Sequence, residues 1–538
     1  MATYIRKNAW NNNGTFDNPD LLWYAKAVGV MQQRALDDSS SWWFFAAIHG
    51  EVVTPRSLKN PNAFPWKNIP APPAVPTTPL PPVSTSDLFW NQCQHQSWYF
   101  PPWHRGYLIA LEAQVRAIIV QQGGPATWAL PYWDYFGTGN QPNIPPAFTQ
   151  KTLPGGSPNP LFVLARYGID GNGNVFIPSP EGRKLHQGDP NLQPDDLVTL
   201  DCLGNDLYTG SDAKTKLPGF GGPKTGFWHG RGASGNLEDD PHNLAHVYIG
   251  EGSANGQIPG LMSVPSLAAL DPIFYLHHAN IDRLWAGWNT KNSNPADAAW
   301  LNGPTGAGQR KFVMPMPDGS VWHYTPDDMK SLAQQDYTYE QLPVLPAAVD
   351  VLAQRLAGLG ALKAEAAIQK GDAVADDRNI ELVGASETSL PIKGLGASTS
   401  VKLDSTVRRK VSASLKAAAE TGTPDRVYLE LENVSGTLDS SALSVYINLP
   451  AGAKPQDHPE LRAGNVSLFG INNASFRDGE HGGSGLNFIL DITKIVDTLH
   501  LNDALNVDSL RVTIVPRRSI PDEAEITVGR ISIQREGV

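Results

Sequence analysis

The spacing of its histidines is the feature of this 538-residue chain with the most chemical content. In "EDDPHNLAHVYIGEG" His242 and His246 stand four residues apart. On a helix that step returns to nearly the same face, so both rings can address one atom. His277 and His278 are adjacent in "DPIFYLHHANIDRLWAGW", and either would complete a site of three imidazoles with an open position. A second set comes from three separate segments: His49 closes "SSSWWFFAAIHG", His95 lies in "NQCQHQSWYF", and His104 opens "PPWHRGYLIALEAQVRAIIVQQGG". One histidine at a helix end is accounted for by the macrodipole. Six at helix ends and at i,i+4 spacing, in a chain with only two cysteines, point to two metal ions. Neutral imidazoles without thiolate or carboxylate suit copper, zinc or nickel, and copper stands highest in the divalent affinity series. Such a set also tolerates the reduced ion, which indicates copper redox chemistry with dioxygen.

These side chains need elements to position them. Leu21, Leu22, Ala25, Val28 and Met31 recur at helical spacing after an Asn-Pro start, predicting a helix within 18–35. Serines begin and Gly50 ends the helix that His49 closes. Prolines begin and a Gly-Gly pair ends the helix of His104, with Leu108, Leu111 and Val115 on one stripe. Asp239 or Asp240 as N-cap and Pro241 at the first helical position set up the helix of His242 and His246. Residues 54–86 are too rich in proline for helix or ladder and read as an extended excursion, and 136–235 read mostly as loops. Residues 341–425, Ala-rich with a basic cluster at Arg408, Arg409 and Lys410, read as a linker. Beyond it the period switches to two. In "RVYLELENV" Val427, Leu429 and Leu431 oppose Tyr428, Glu430 and Glu432, and four later segments follow suit, predicting a β-sandwich or barrel. The expected architecture is a multidomain chain. It has a mainly α core, a helical bundle over 1–340, a linker over 341–425 and an all-β sandwich over 426–538.

A net charge of −11 argues against nucleic acid or an anionic membrane as partner, because both polyanions require a basic surface. Two distant cysteines, Cys93 and Cys202, make a disulfide framework unexpected and indicate a reducing compartment. "MATYIRKNAW" has no apolar signal region and no window reaches the ~18 apolar residues of a membrane span. The expectation is a cytoplasmic protein, or one exported without a signal of its own.

"CQHQSWYFPPWHRGYLIALE", "EDDPHNLAHVYIGEG" and "DPIFYLHHANIDRLW" resemble the copper A and copper B signatures of type 3 copper proteins, that is tyrosinases, catechol oxidases and haemocyanins. The resemblance covers roughly 1–340 and implies two copper ions with dioxygen as co-substrate. It assigns His49, His95 and His104 to copper A and His242, His246 and His278 to copper B, and makes His277 a packing neighbour. Asn280 and Asp282, within a turn of His278, are expected to hold the ligand helix by hydrogen bonds. Cys93, two residues before His95, has the spacing of fungal-type members in which a thioether joins the pair. The implied reaction is ortho-hydroxylation of a phenol or oxidation of an o-diphenol to an o-quinone. Glu238 and Asn243 look like the pair that in tyrosinases holds a water able to take the phenol proton, which favours monophenolase activity. Counting back from copper B places the residue that overhangs the entrance at Pro265, beside Val264, and implies an open entrance.

The C-terminal segment, through "SVYINLP" and "LRVTIVPRRSIPDEAEITVGRISIQ", resembles more loosely the domain that covers the copper site of latent plant polyphenol oxidases, with the linker as the cleavable segment. Such a chain is a zymogen. The implied function is a tyrosinase-type copper enzyme acting on small phenols and supplied by a copper-delivery protein. Its rivals are a catechol or o-aminophenol oxidase without hydroxylase activity and an oxygen carrier of the haemocyanin type.

Overall fold

The computed structural model describes residues 3–50, 74–168, 174–210, 218–226, 233–251, 259–304, 311–345, 351–359, 379–418, 424–477, 483–505 and 507–537. Five helices frame the first domain: α1 Pro19–Gln32, α2 Trp42–His49, α3 Phe100–Gln121, α4 Leu244–Gly250 and α5 Ile273–Trp288. Their starts follow the local chemistry. Asn18 caps α1 by accepting from the Asp20 N–H, and Ser41 caps α2 by accepting from the Phe44 N–H. Every residue of α2 and α5 is buried. Among the described residues no helix is long and apolar enough to cross a membrane.

The N-cap expected at Asp239 or Asp240 is not there. A wide helical segment, Glu238–Asn243, leads into α4 with an extended residue at Asp240, whose carboxylate accepts from the backbone and hydroxyl of Thr199 instead. The short polar side chain found a tertiary partner in place of its own helix.

Short strands tie the chain ends to the helices. β1 Tyr4–Arg6 pairs in parallel with β4 Tyr337–Tyr339, and β2 Phe312–Pro315 pairs with β3 Val321–Tyr324. Arg6 and Arg105 of α3 both reach Asp282 of α5, at 3.2 and 2.6 Å, and the hydroxyls of Tyr337 and Tyr339 donate to the same carboxylate. Burial pushes the Asp282 carboxyl up, yet the two guanidinium groups and the two hydroxyls hold it below its usual range.

The second domain is built on a sheet with helices packed on it, and its strands form one antiparallel sheet rather than the two stacked sheets of a sandwich. These are β5 Asn379–Ala385, β6 Leu390–Pro391, β7 Ala397–Leu403, β8 Arg426–Ser435, β9 Ala442–Ile447, β10 Arg462–Ser467, β11 Leu486–Asp491, β12 Ser509–Pro516 and β13 Thr527–Gly537. The order is β10-β9-β12-β7-β5-β13-β8-β11, with β6 on β13. The edge strands approach each other, Gly464 of β10 facing Leu490 of β11, which leaves a nearly closed barrel. In β12 Leu510, Val512 and Ile514 point into its core and the residues between them point out.

This domain begins earlier than the sequence indicates. The expected linker contains the helix α6 Val351–Gly358, and its residues 379–418 supply β5, β7 and the helix α7 Ser405–Lys416. β5 and β7 are half exposed, β7 opening with Ala-Ser-Thr-Ser and β5 leaving Leu382 exposed, so they carry little hydrophobic alternation, and pairing with β13 and β12 makes them strands. The basic cluster sits on α7, where Lys410 pairs with Glu381 at 2.5 Å. Even α6 is tied to the barrel, through Arg355 and Asp497 at 2.7 Å. Residues 346–350, 360–378 and 419–423 of the expected linker, like 54–73 of the proline-rich excursion, lie outside the described residues.

The domains meet along β9, which is buried on both faces. Leu443, Val445 and Ile447 join the barrel core while Ala442 packs into the helical core. Arg517 crosses the seam to Asp196 at 2.6 Å and to Glu251, and Asn465 donates to the carbonyl of Asp195 at 3.0 Å.

The charge cluster at Asp282 gives a first prediction. Asp282→Ala leaves two buried guanidinium groups without their carboxylate and is expected to destabilise the first domain by about 3–5 kcal/mol. Thermal denaturation checks this, and a loss under about 1 kcal/mol would show that the network does not bear on stability.

Candidate metal centre

The structure gathers the six predicted histidines into one buried region. His49 ends α2, His95 sits on the irregular loop before α3, His104 lies in the first turn of α3, His242 and His246 lie on the segment leading into and along α4, and His278 lies in α5. The rings of His104 and His278 stack at 4.5 Å, which joins the two sets.

Hydrogen bonds fix how most of these rings face. Nδ1 of His49 lies 3.0 Å from the carbonyl of Pro265, that of His104 2.8 Å from Phe100, and that of His246 2.7 Å from Met262. Nδ1 of His242 meets Oδ1 of Asn243 at 2.9 Å, and Nδ1 of His95 meets Oε1 of Glu238 at 3.0 Å. With these acceptors the proton sits on Nδ1 and the Nε2 lone pair is free for a metal. Burial, reinforced by neighbouring imidazoles, holds His49, His104, His242, His246 and His278 well below the usual histidine range, so they stay neutral.

Nε2 of His278 lies 3.3 Å from Nε2 of His242 and 3.4 Å from Nε2 of His246. Nitrogens each about 2.0 Å from one tetrahedral ion stand about 3.3 Å apart, so this triad has the shape of a metal site. Nε2 of His49 is buried without a hydrogen-bond partner. Ligand atoms of His49, Cys93, His95 and His104 lie within 4.8 Å of one another, as do those of His242, His246, His277 and His278. Three imidazole nitrogens in each cluster suit two copper ions.

His277 stands at the edge of the second cluster. Its Nδ1 is 3.3 Å from the hydroxyl of Tyr135, the two rings stack, and burial lowers its pKa to about 3. Cys93 is a free buried thiol with Sγ 3.3 Å from Nε2 of His104.

Asn280 accepts from Arg283 of the same helix at 2.7 Å, and Asp282 clamps the ligand helix α5 to α3 through Arg105. Asp282 sits on the back of the ligand helix, where Arg6 and Arg105 from distant segments reach it. The open entrance is corrected. Pro265 lines the cavity, but Gly470 of the second domain packs on it, and Val264 is buried. A count along the first domain cannot see a second domain docked there.

Sequence reasoning missed the residue that covers the site. Phe469, on the loop after β10, stacks on His246 at 4.3 Å and 23°, with His95 at 5.8 Å and His242 at 6.0 Å. Ser467 anchors that loop, donating to the carbonyl of Asn243 at 3.2 Å and accepting the Phe469 N–H at 3.1 Å. The available signal was an apolar Leu-Phe pair ahead of Gly470 in a loop, where water would otherwise meet both side chains.

Glu238 and Asn243 both line the cavity of about 240 Å³ beside the histidines. Glu238 accepts the Gln96 N–H at 2.8 and 2.9 Å as well as His95, and Nδ2 of Asn243 lies 3.4 Å from Oγ of Ser234.

Comparison with known proteins agrees with this geometry. Residues 39–291 match the common central domain of tyrosinase, and residues 379–536 match a domain of unknown function. Tyrosinase HcTyr1 of Hahella sp. (strain CCB-MM4) is 31% identical over 530 residues, 96% of this chain and 97% of that protein. The latent polyphenol oxidase of Prunus armeniaca is 31% identical over 212 residues, which span 39% of this chain and 32% of its own. In fold, the chain superposes on latent apple tyrosinase with a TM-score of 0.57 at 19% identity, covering 100% of this chain and 98% of that one. Related to a tyrosinase over nearly its whole length, and carrying two histidine clusters that suit copper, the chain belongs to the tyrosinase and polyphenol oxidase family of type 3 copper oxidases.

Proposed function

We propose that this protein hydroxylates monophenols at the ortho position and oxidises o-diphenols to o-quinones with dioxygen, and that its C-terminal domain keeps it latent. The observation that carries the reading is the pair of imidazole clusters with their Nδ1 atoms anchored, side by side with Glu238 and Asn243. Bound copper supplies the electron transfer to dioxygen. Small phenols are the substrates and a copper-delivery protein is the partner in this reading.

The chain's own residues handle the proton. A phenol, with a pKa near ~10, must lose its proton to bind as phenolate. A water held between Glu238 and Asn243 accepts it, while the His95 and Gln96 donors keep the carboxylate aligned. Oxygen uptake is expected with both a monophenol and its o-diphenol. Glu238→Gln keeps an acceptor for His95 but removes the base, so monophenol turnover is expected to fall about hundredfold while diphenol turnover changes far less. Uptake with the diphenol alone would instead make the protein a catechol or o-aminophenol oxidase, and reversible oxygen binding without turnover would make it a carrier.

Latency in this reading is steric. Phe469 occupies the face of His246 that a substrate ring would use. Phe469→Ala is expected to raise diphenol oxidation by the intact chain, and proteolysis within 341–378 to raise it in the natural chain. Rates unchanged by either treatment would remove the lid from the reading.

A thioether between Cys93 and His95 belongs to the same proposal. It replaces an S–H and a ring C–H by a C–S bond, and dioxygen takes the two hydrogens and two electrons as hydrogen peroxide. Mass spectrometry of the copper-loaded protein is expected to show the peptide two hydrogens light, and full alkylation of Cys93 would refute the link.

A further inference from the structure

The cavity beside the histidines has walls from both domains. His49, Cys93, His95 and Glu238 form one side, and Phe476 and Phe488 of the sheet domain form the other. Phe469 stacks on His246 of the second cluster, meets His95 edge-on at 5.8 Å, and lines this cavity together with His49 and His95. The plug therefore covers the second cluster face-on and leaves space beside itself in front of the first.

That space has the chemistry of a phenol site: imidazoles and a carboxylate at one end, aromatic rings at the other. Its volume, about 240 Å³, falls below the ~300–1,000 Å³ of sites that enclose drug-sized ligands, so it suits one ring rather than two or three. Half-buried residues of both domains, among them Gly50, Ser266, Asn473 and Phe476, surround its mouth, and Oγ of Ser266 has no hydrogen-bond partner. The seam holds the walls at fixed separation, because Arg517 is buried against Asp196 and Glu251.

We infer that the sheet domain is a wall of the substrate pocket as well as a plug, and that the intact chain admits monocyclic phenols while excluding phenols of two or three fused or linked rings. The inference rests on the reading of the site as phenol-oxidising. It makes the domain a size filter, so that loosening the seam widens the substrate range rather than merely switching activity on.

The test uses the full chain. In saturation-transfer NMR the copper-free protein is expected to pass magnetisation to 4-methylphenol but not to a flavonol. Phe476→Ala removes an aromatic wall and is expected to weaken 4-methylphenol binding about tenfold, and Asn473→Trp, which fills the mouth, to abolish it. The copper-loaded chain is expected to oxidise 4-methylcatechol at the low residual rate that the plug leaves, and not the flavonol, and Arg517→Ala to admit the flavonol. No transfer to 4-methylphenol, or transfer that ignores both pocket variants, overturns the inference. Transfer that responds to both variants without oxidation of any phenol keeps the size-selective pocket and refutes the oxidase reading instead.

Discussion

An imidazole binds a metal through one nitrogen only when the other has somewhere to put its proton, and that requirement organises the centre of this molecule. The acceptors come from places that have nothing else in common: the carbonyls of Phe100, Met262 and Pro265, the amide of Asn243 and the carboxylate of Glu238. Each ties a ring to a different segment, so the loops that hold Met262 and Pro265 are as much part of the centre as the helices that carry the histidines. Burial then keeps His49, His104, His242, His246 and His278 neutral, as nitrogen ligands of a metal must be.

Holding each ring is not enough, because two clusters must also keep their separation. Arg105 follows His104 in α3 and Asp282 lies one turn beyond His278 in α5, and the 2.6 Å bond between them locks the two ligand helices from behind. Arg6, Tyr337 and Tyr339 bring both ends of the helical domain to the same carboxylate. A buried carboxylate surrounded by two guanidinium groups and two hydroxyls is costly to assemble and costlier to break. It fixes a register where apolar side chains alone would tolerate sliding.

The sheet domain uses the same economy of position. β9 is apolar toward the barrel and small or polar toward the helices, so one strand serves two interfaces. The next strand ends at Ser467, whose hydroxyl reaches the backbone of Asn243, and two residues later Phe469 lies on His246. The reach of a few residues beyond a docked strand is what brings an aromatic ring to the centre. The cavity beside the histidines thus has walls from segments more than two hundred residues apart.

Much of this was legible in the chain itself. The i,i+4 pair His242 and His246, the capped helix ending at His49 and the proline-started helix of His104 are local patterns, set by helical geometry and capping, and they indicated two three-histidine sites before any fold was known. The switch to period two likewise marked a sheet domain. What local pattern cannot carry is who sits opposite whom. The half-exposed strands β5 and β7 read as linker because their stability comes from partners in β13 and β12. Asp240 serves Thr199 rather than its own helix, Asp282 holds the ligand helix through Arg6 and Arg105, and Phe469 closes an entrance that looked open. In each case the deciding partner lies far away in sequence, so the residue type was fixed locally and its role only by the tertiary structure.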